Sequence, residues 1–98
     1  MAKPAQHRKS KWVLYLLSCR DRSLYTGITN DLAKRLKRHN AGTGARYTRS
    51  RLPVRVVYAE PCKSRSDALK REYAIKQLPR REKLKLVKRQ SIKKKPAP

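Results

Sequence analysis

The chain has 98 residues, enough for one domain with a modest core and too few for two. Twenty-eight Lys and Arg against six Asp and Glu give a net charge of +22, which makes a polyanion, nucleic acid above all, the expected partner. The basic residues are spread along the chain without a long basic amphipathic helix, and no apolar run approaches a membrane span or a signal-peptide core, so membrane partners are excluded and a cytoplasmic location is expected.

Residues 1–10 (MAKPAQHRKS) are polar and read as a disordered basic N-terminal tail. Residues 12–19 (WVLYLLSC) form a nearly continuous apolar run, and 23–28 (SLYTGI) follow after the polar turn Arg20-Asp21-Arg22; together they predict an antiparallel hairpin. Thr29-Asn30-Asp31 marks a helix start, and 31–40 have helical spacing. Residues 41–51, with Gly42, Gly44, Arg46, Tyr47, Arg49 and Arg51, read as a basic loop. Pro53 opens a third strand over 54–59, and Ser64 or Ser66 caps a helix running to about Leu78. Pro79 ends that helix and starts another over 80–89, leaving 90–98 as a disordered basic C-terminal tail. The order β-β-α-β-α-α places the domain, residues 11–89, in the α/β (α+β) class, with a small three-stranded sheet flanked by helices. Cys19 and Cys62 have no CxxC partner and no His at zinc spacing, and read as reduced thiols.

Acidic residues are scarce, so each one is informative. Asp21 suits a turn, Asp31 and Asp67 suit helix starts, Glu60 ends a strand beside Pro61, and Glu82 lies near a helix start. Glu72 is left in mid-helix, inside the apolar arc of Ala68, Leu69, Tyr73 and Ile75. A carboxylate there requires a partner, and an i,i+4 pair with Lys76 and a bound metal both satisfy it.

On the first helix Arg35 and His39 border the face of Leu32, Ala33 and Leu36, where they meet a ligand phosphate or simply pack along the rim. In the hairpin, a turn centred on Asp21 sets Tyr15 opposite Gly27 and Leu17 opposite Tyr25, all on one face. A glycine inside a strand marks close approach of a ligand or backbone. In the basic loop Arg46, Arg49 and Arg51 are expected to contact nucleic acid, and Tyr47 either stacks on an unpaired base or packs under the loop. Two tyrosines, an Arg, a His and a Glu on one face suit phosphodiester hydrolysis, which needs a base, a cation and a metal or acid.

Val13-Leu14-Tyr15, then Tyr25-Thr26-Gly27, Arg35, His39 and a later helical Glu72 resemble the GIY-YIG nuclease superfamily across residues 11–82. The stretches LYTGITNDLAKRLKRHN and ALKREYAIKQL are most similar to small stand-alone bacterial members related to the UvrC N-terminal domain and to intron endonucleases. The departure is Val13, which stands where the first motif has Gly. The resemblance implies one divalent cation, Mg²⁺, on Glu72. It also implies that Tyr15 orients or deprotonates the attacking water and that Tyr25 bonds the scissile phosphate or that water. Arg35 would bind the phosphate and stabilise the pentavalent state, and His39 would assist positioning. The expected protein is a monomer without a small-molecule cofactor that cuts DNA, ahead of RNA, as a structure-selective or weakly specific endonuclease in repair or recombination. A non-catalytic module binding DNA or RNA is the competing expectation.

Overall fold

A computed structural model describes the backbone of residues 11–94 and the side chains of residues 11–90. Residues 1–10 and 95–98, where tails were expected, lie outside the described residues. The elements in chain order are β1 (Val13–Ser18), β2 (Leu24–Thr29), α1 (Leu32–Asn40), α2 (Arg46–Arg49), β3 (Arg55–Pro61), α3 (Arg65–Lys76) and α4 (Arg80–Lys94). The strands form one antiparallel sheet in the order β2-β1-β3.

The apolar run of β1 explains its central place, since it is covered on both faces. Leu14, Leu16 and Leu17 are fully buried and Tyr15 is nearly so. The two-residue strand period sorts them. Leu14 and Leu16 pack with Tyr58, Ile75, Leu86 and Val87, beneath α3 and α4. Tyr15 and Leu17 pack with Val54, Tyr25, Leu32 and Leu36, beneath α1. The sheet therefore separates two small cores, and Tyr15 belongs to the α1 side.

The β1–β2 turn forms as its residues dictate. Arg22 N–H bonds the Cys19 carbonyl (2.8 Å), and the Asp21 carboxylate accepts from the Ser23 amide and hydroxyl (3.0 and 2.6 Å). Arg22 takes a left-handed conformation (φ 69°). The resulting register sets Tyr15 opposite Gly27 and Leu17 opposite Tyr25, as the turn position required. Asp31 caps α1 by accepting from Lys34 N–H (3.1 Å), and Ser64 caps α3 by accepting from Asp67 N–H (3.1 Å).

Four expectations change. Within the basic loop 41–51, residues 46–49 form the short helix α2. On α3 the buried side is Ala68 and Ile75, whereas Leu69 and Tyr73 are 40% and 70% exposed, because α3 meets the sheet along a narrower stripe than its apolar residues suggested. Glu60 lies within β3, where Tyr58 donates to it and the Arg71 guanidinium bonds both its oxygens (2.7 and 3.2 Å), pinning α3 to the sheet. Finally, α4 runs to Lys94, past residue 89 where the tail was placed. The Gln90 side chain bonds both the N–H (3.0 Å) and the C=O (2.7 Å) of Ala59, closing part of the open edge of β3.

Candidate active site

The site grows from the close approach at Gly27. A Cβ there would lie 2.6 Å from Tyr15 Oη, 2.7 Å from its Cζ and 3.1 Å from Tyr25 Cε2. The group for which Gly27 makes room is the Tyr15 phenol itself, laid across the backbone of β2.

That phenol reaches His39, in the last turn of α1, with Oη 3.1 Å from Nε2. His39 is 1% exposed, and its Nδ1 lies 2.9 Å from Thr48 Oγ1 on α2. The Thr48 hydroxyl donates to the Ala45 carbonyl (3.0 Å). Gly44 permits this packing, since a Cβ at that position would lie 2.6 Å from His39 Nδ1. Tyr25 completes the cluster, its ring centroid 5.4 Å from that of His39 and 6.4 Å from that of Tyr15.

Electrostatics tie in Arg35 and Glu72. Burial pushes the Tyr15 phenol well above the ordinary tyrosine range; Tyr25 and Glu72 push the same way, and Arg35 opposes them. Burial, then Arg35, push the His39 ring down, so it stands neutral at pH 7. Arg35 thus acts on both Tyr15 and His39, and Glu72 acts on Tyr15. The Glu72 carboxylate also meets Lys76 Nζ at 3.4 Å and is 20% exposed, so the ion pair and the proximity to Tyr15 coexist.

Among the described residues no three His, Cys, Asp or Glu side chains gather to cage a metal ion. Glu72 is the one carboxylate of the described residues whose charge is felt at Tyr15, and a single carboxylate is the kind of donor that a hard divalent cation shares with waters and substrate phosphates. Val13 stands at the start of β1 in ordinary strand conformation, so its backbone needs no glycine.

The loop residues divide. Arg46 and Arg49 are exposed on α2. Arg51 turns back, bonding Asp21 (3.1 Å) and the Tyr47 carbonyl (2.8 Å) with its guanidinium carbon 3.9 Å above the Tyr47 ring. Tyr47 stacks on Tyr25 at 6.0 Å and is 39% exposed, so it packs against the site while keeping an open edge. An open cleft beside it is lined by Tyr25, Lys76 and Lys83, and a second, by α1, is lined by Lys34, Arg35 and Arg38. Sequence reasoning missed Thr48 and Gly44; the Gly-x-x-x-Thr spacing after His39 carries no signal until α2 is folded against α1.

The central strand thus brings one tyrosine against a second tyrosine and a buried histidine, with an arginine and a glutamate within electrostatic reach. A family model described as the GIY-YIG catalytic domain matches residues 11–85, and the chain belongs to that family. It is 56% identical over 78 residues to a UPF0213 protein of Desulfotalea psychrophila, covering 79% of this chain and 71% of that one. To a UPF0213 protein of Clostridium perfringens it is 54% identical over 80 residues, covering 82% and 86%. Among solved structures it is similar to a UPF0213 protein from Bacillus halodurans (TM-score 0.51, 44% identity, 79% of this chain and 82% of that one). It is also similar to a protein from E. faecalis (TM-score 0.56, 38% identity, 88% and 92%). Family membership points to nuclease chemistry on nucleic acid. Among the described residues no helix is long and apolar enough to cross a membrane.

Proposed function

We propose that this chain is a metal-dependent endonuclease that hydrolyses DNA phosphodiester bonds, selecting structure or weak sequence features, in cytoplasmic repair or recombination, as a monomer. The observation that carries this reading is the gathering of Tyr15, Tyr25 and His39 in ring contact, with Arg35 and Glu72 within electrostatic reach. Tyr15 accepts from the attacking water or orients it. Its raised pKa excludes a standing phenolate, so the phenol keeps its proton beside His39 Nε2. Tyr25, less buried, bonds the scissile phosphate or the water. Arg35 binds the phosphate with its planar fork and stabilises charge on the pentavalent phosphorus. Glu72 would hold one Mg²⁺, which when bound offsets charge on the phosphate and leaving oxygen. The products are a 3′-hydroxyl and a 5′-phosphate. DNA runs over Lys34, Arg35 and Arg38 on one side and Lys76 and Lys83 on the other, with Arg46 and Arg49 adding phosphate contacts. Tyr47 offers its open edge to an unpaired base, and Arg51 holds Tyr47 in place.

Nicking of duplex, forked and single-stranded DNA, with Mg²⁺ and with EDTA, tests this reading. Metal-dependent 5′-phosphate products support it, and binding to all three without cleavage under either condition refutes it. The Glu72–Lys76 ion pair favours one alternative, a module that binds DNA or RNA without cutting, since that pair gives Glu72 a structural duty.

A further inference from the structure

The hydrogen bonds around His39 contain more information than the contact with Tyr15. Three buried groups bear protons to be placed: the Tyr15 phenol, the imidazole and the Thr48 hydroxyl. Among the described residues the Tyr15 phenol has one hydrogen-bond partner, His39 Nε2. Thr48 Oγ1 has two, His39 Nδ1 and the Ala45 carbonyl. A hydroxyl has one proton, and a carbonyl can only accept. With the Thr48 proton on the Ala45 carbonyl, Oγ1 can only accept from the ring, so Nδ1 carries the imidazole proton. Nε2 is then bare and accepts the Tyr15 proton, and every donor is satisfied.

The opposite tautomer fails this accounting. With Nε2 protonated, Nδ1 is bare and faces the Thr48 Oγ1 lone pairs at 2.9 Å, with no proton between them unless Thr48 gives up the Ala45 carbonyl. Losing one of these two buried hydrogen bonds disfavours that arrangement by about tenfold. We propose that Thr48 is a positioning residue that locks His39 in its Nδ1–H tautomer and so fixes the direction of the Tyr15 hydrogen bond.

The consequence falls on Tyr15, and it rests on the nuclease reading above. When the phenol proton points to Nε2, only lone pairs remain on Oη for a third partner, so Tyr15 meets the attacking water as an acceptor. In the other tautomer the phenol proton points outward, and Tyr15 would present a donor to the water it must deprotonate. As the water's proton passes to Oη, the phenol proton passes to Nε2. The resulting imidazolium keeps its Nδ1–H on Thr48, and the hydroxide oxygen bonds phosphorus as the bond from phosphorus to the 3′ oxygen breaks, that oxygen leaving as the 3′-hydroxyl with a proton from solvent. Thr48 is fully buried and touches no substrate, so it acts only through His39.

Long-range proton–nitrogen NMR of the His39 ring tests this directly, because protonated and bare ring nitrogens of a neutral imidazole resonate far apart. Wild-type protein near pH 8 should show a bare Nε2 and a protonated Nδ1. A protonated Nε2 in wild type overturns the proposal, whatever any variant does. Thr48→Val keeps the shape and removes the hydroxyl; it should release His39 toward the Nε2–H tautomer and lower kcat by about 10- to 1000-fold with little change in KM. Thr48→Ser should restore both the wild-type nitrogen pattern and most of the activity. A folded Thr48→Val protein that keeps the wild-type nitrogen pattern refutes the lock. If Thr48→Val does not fold, the wild-type and Thr48→Ser spectra decide. Failure of the nuclease reading is seen separately, as a wild-type protein with the assigned tautomer and no cleavage; the lock then stands and its catalytic consequence falls.

Discussion

Replacing Gly27 by alanine places a methyl group where the Tyr15 phenol now lies. The new Cβ would stand 2.6 Å from Oη and 2.7 Å from Cζ, against an ordinary contact of 3.4 Å or more, so the ring must move by about 0.8 Å. Tyr15 is 2% exposed and is held by Leu32, Leu36 and Val54 as well as by His39, so it has no free direction in which to yield. Overpacking of this kind costs about 1–3 kcal/mol. Alanine returns about 0.5–1 kcal/mol through lower backbone entropy in the unfolded chain, and a lost Tyr15–His39 hydrogen bond costs about 1 kcal/mol. The net destabilisation is about 2 kcal/mol, a fall in Tm of roughly 8–16 °C for a domain of this size. Thermal melts measure the first effect, and plasmid nicking at a temperature where the variant is folded measures the second. A reacting group displaced by nearly 1 Å should lower cleavage by about 100-fold. In a Tyr15→Leu background, where only the Tyr25 ring edge at 3.1 Å still meets the Cβ, the same alanine should cost less than about 1 kcal/mol. Full stability and full nicking in Gly27→Ala would refute the argument that Gly27 exists to admit the Tyr15 ring.

The pH dependence of stability follows from His39. Its folded pKa lies below the unfolded value of 6.5, so its contribution is fully present above pH 6.5 and is lost as pH falls from there toward the folded value. Urea titrations should show stability declining on that acid side, with a shallower slope in His39→Gln; an unchanged slope would mean the ring takes up its proton without penalty. DNA binding should weaken log-linearly with salt, because +22 is supplied mainly by surface Lys and Arg. Fluorescence anisotropy from low to physiological salt checks this, and a flat response contradicts it. Gln90→Ala should lower stability by about 1–2 kcal/mol through loss of two bonds to Ala59, read by chemical denaturation. No loss would show that the β3 edge does not depend on Gln90.

The hairpin register and two helix caps were legible because they rest on local chemistry. The polar turn around Asp21 fixes which residues pair, and Asp31 and Ser64 bond amides three residues on. That register alone brings Tyr15, Tyr25 and Gly27 onto one face. The face of α3 was harder to read, because Leu69 and Tyr73 are apolar yet point outward, and only packing against β1 and β2 selects Ala68 and Ile75. Glu60 looked like a strand-end acid, although Arg71, eleven residues away, makes it an anchor for the helix that carries Glu72. Thr48 was invisible for the same reason. Its partner His39 is nine residues away across a turn, and no periodicity links a hydroxyl in a basic loop to an imidazole on a helix. Arg51, grouped with the DNA-contacting arginines by charge, also donates through Nε to Asp21 and through Nη1 to the Tyr47 carbonyl, partners that charge alone does not reveal.

In the proposed mechanism Glu72 serves the chemistry beside Tyr15 and not merely the ion pair with Lys76. The direct test is Mg²⁺-dependent nicking by wild type and Glu72→Gln at equal fractions of bound DNA. Glu72→Gln should lose nicking by at least about 100-fold, with DNA binding in EDTA unchanged or slightly tighter, since one negative charge leaves a strongly positive protein. Undiminished nicking, with only a few tenths of a kcal/mol lost from the melt as an exposed helix pair would give, contradicts it.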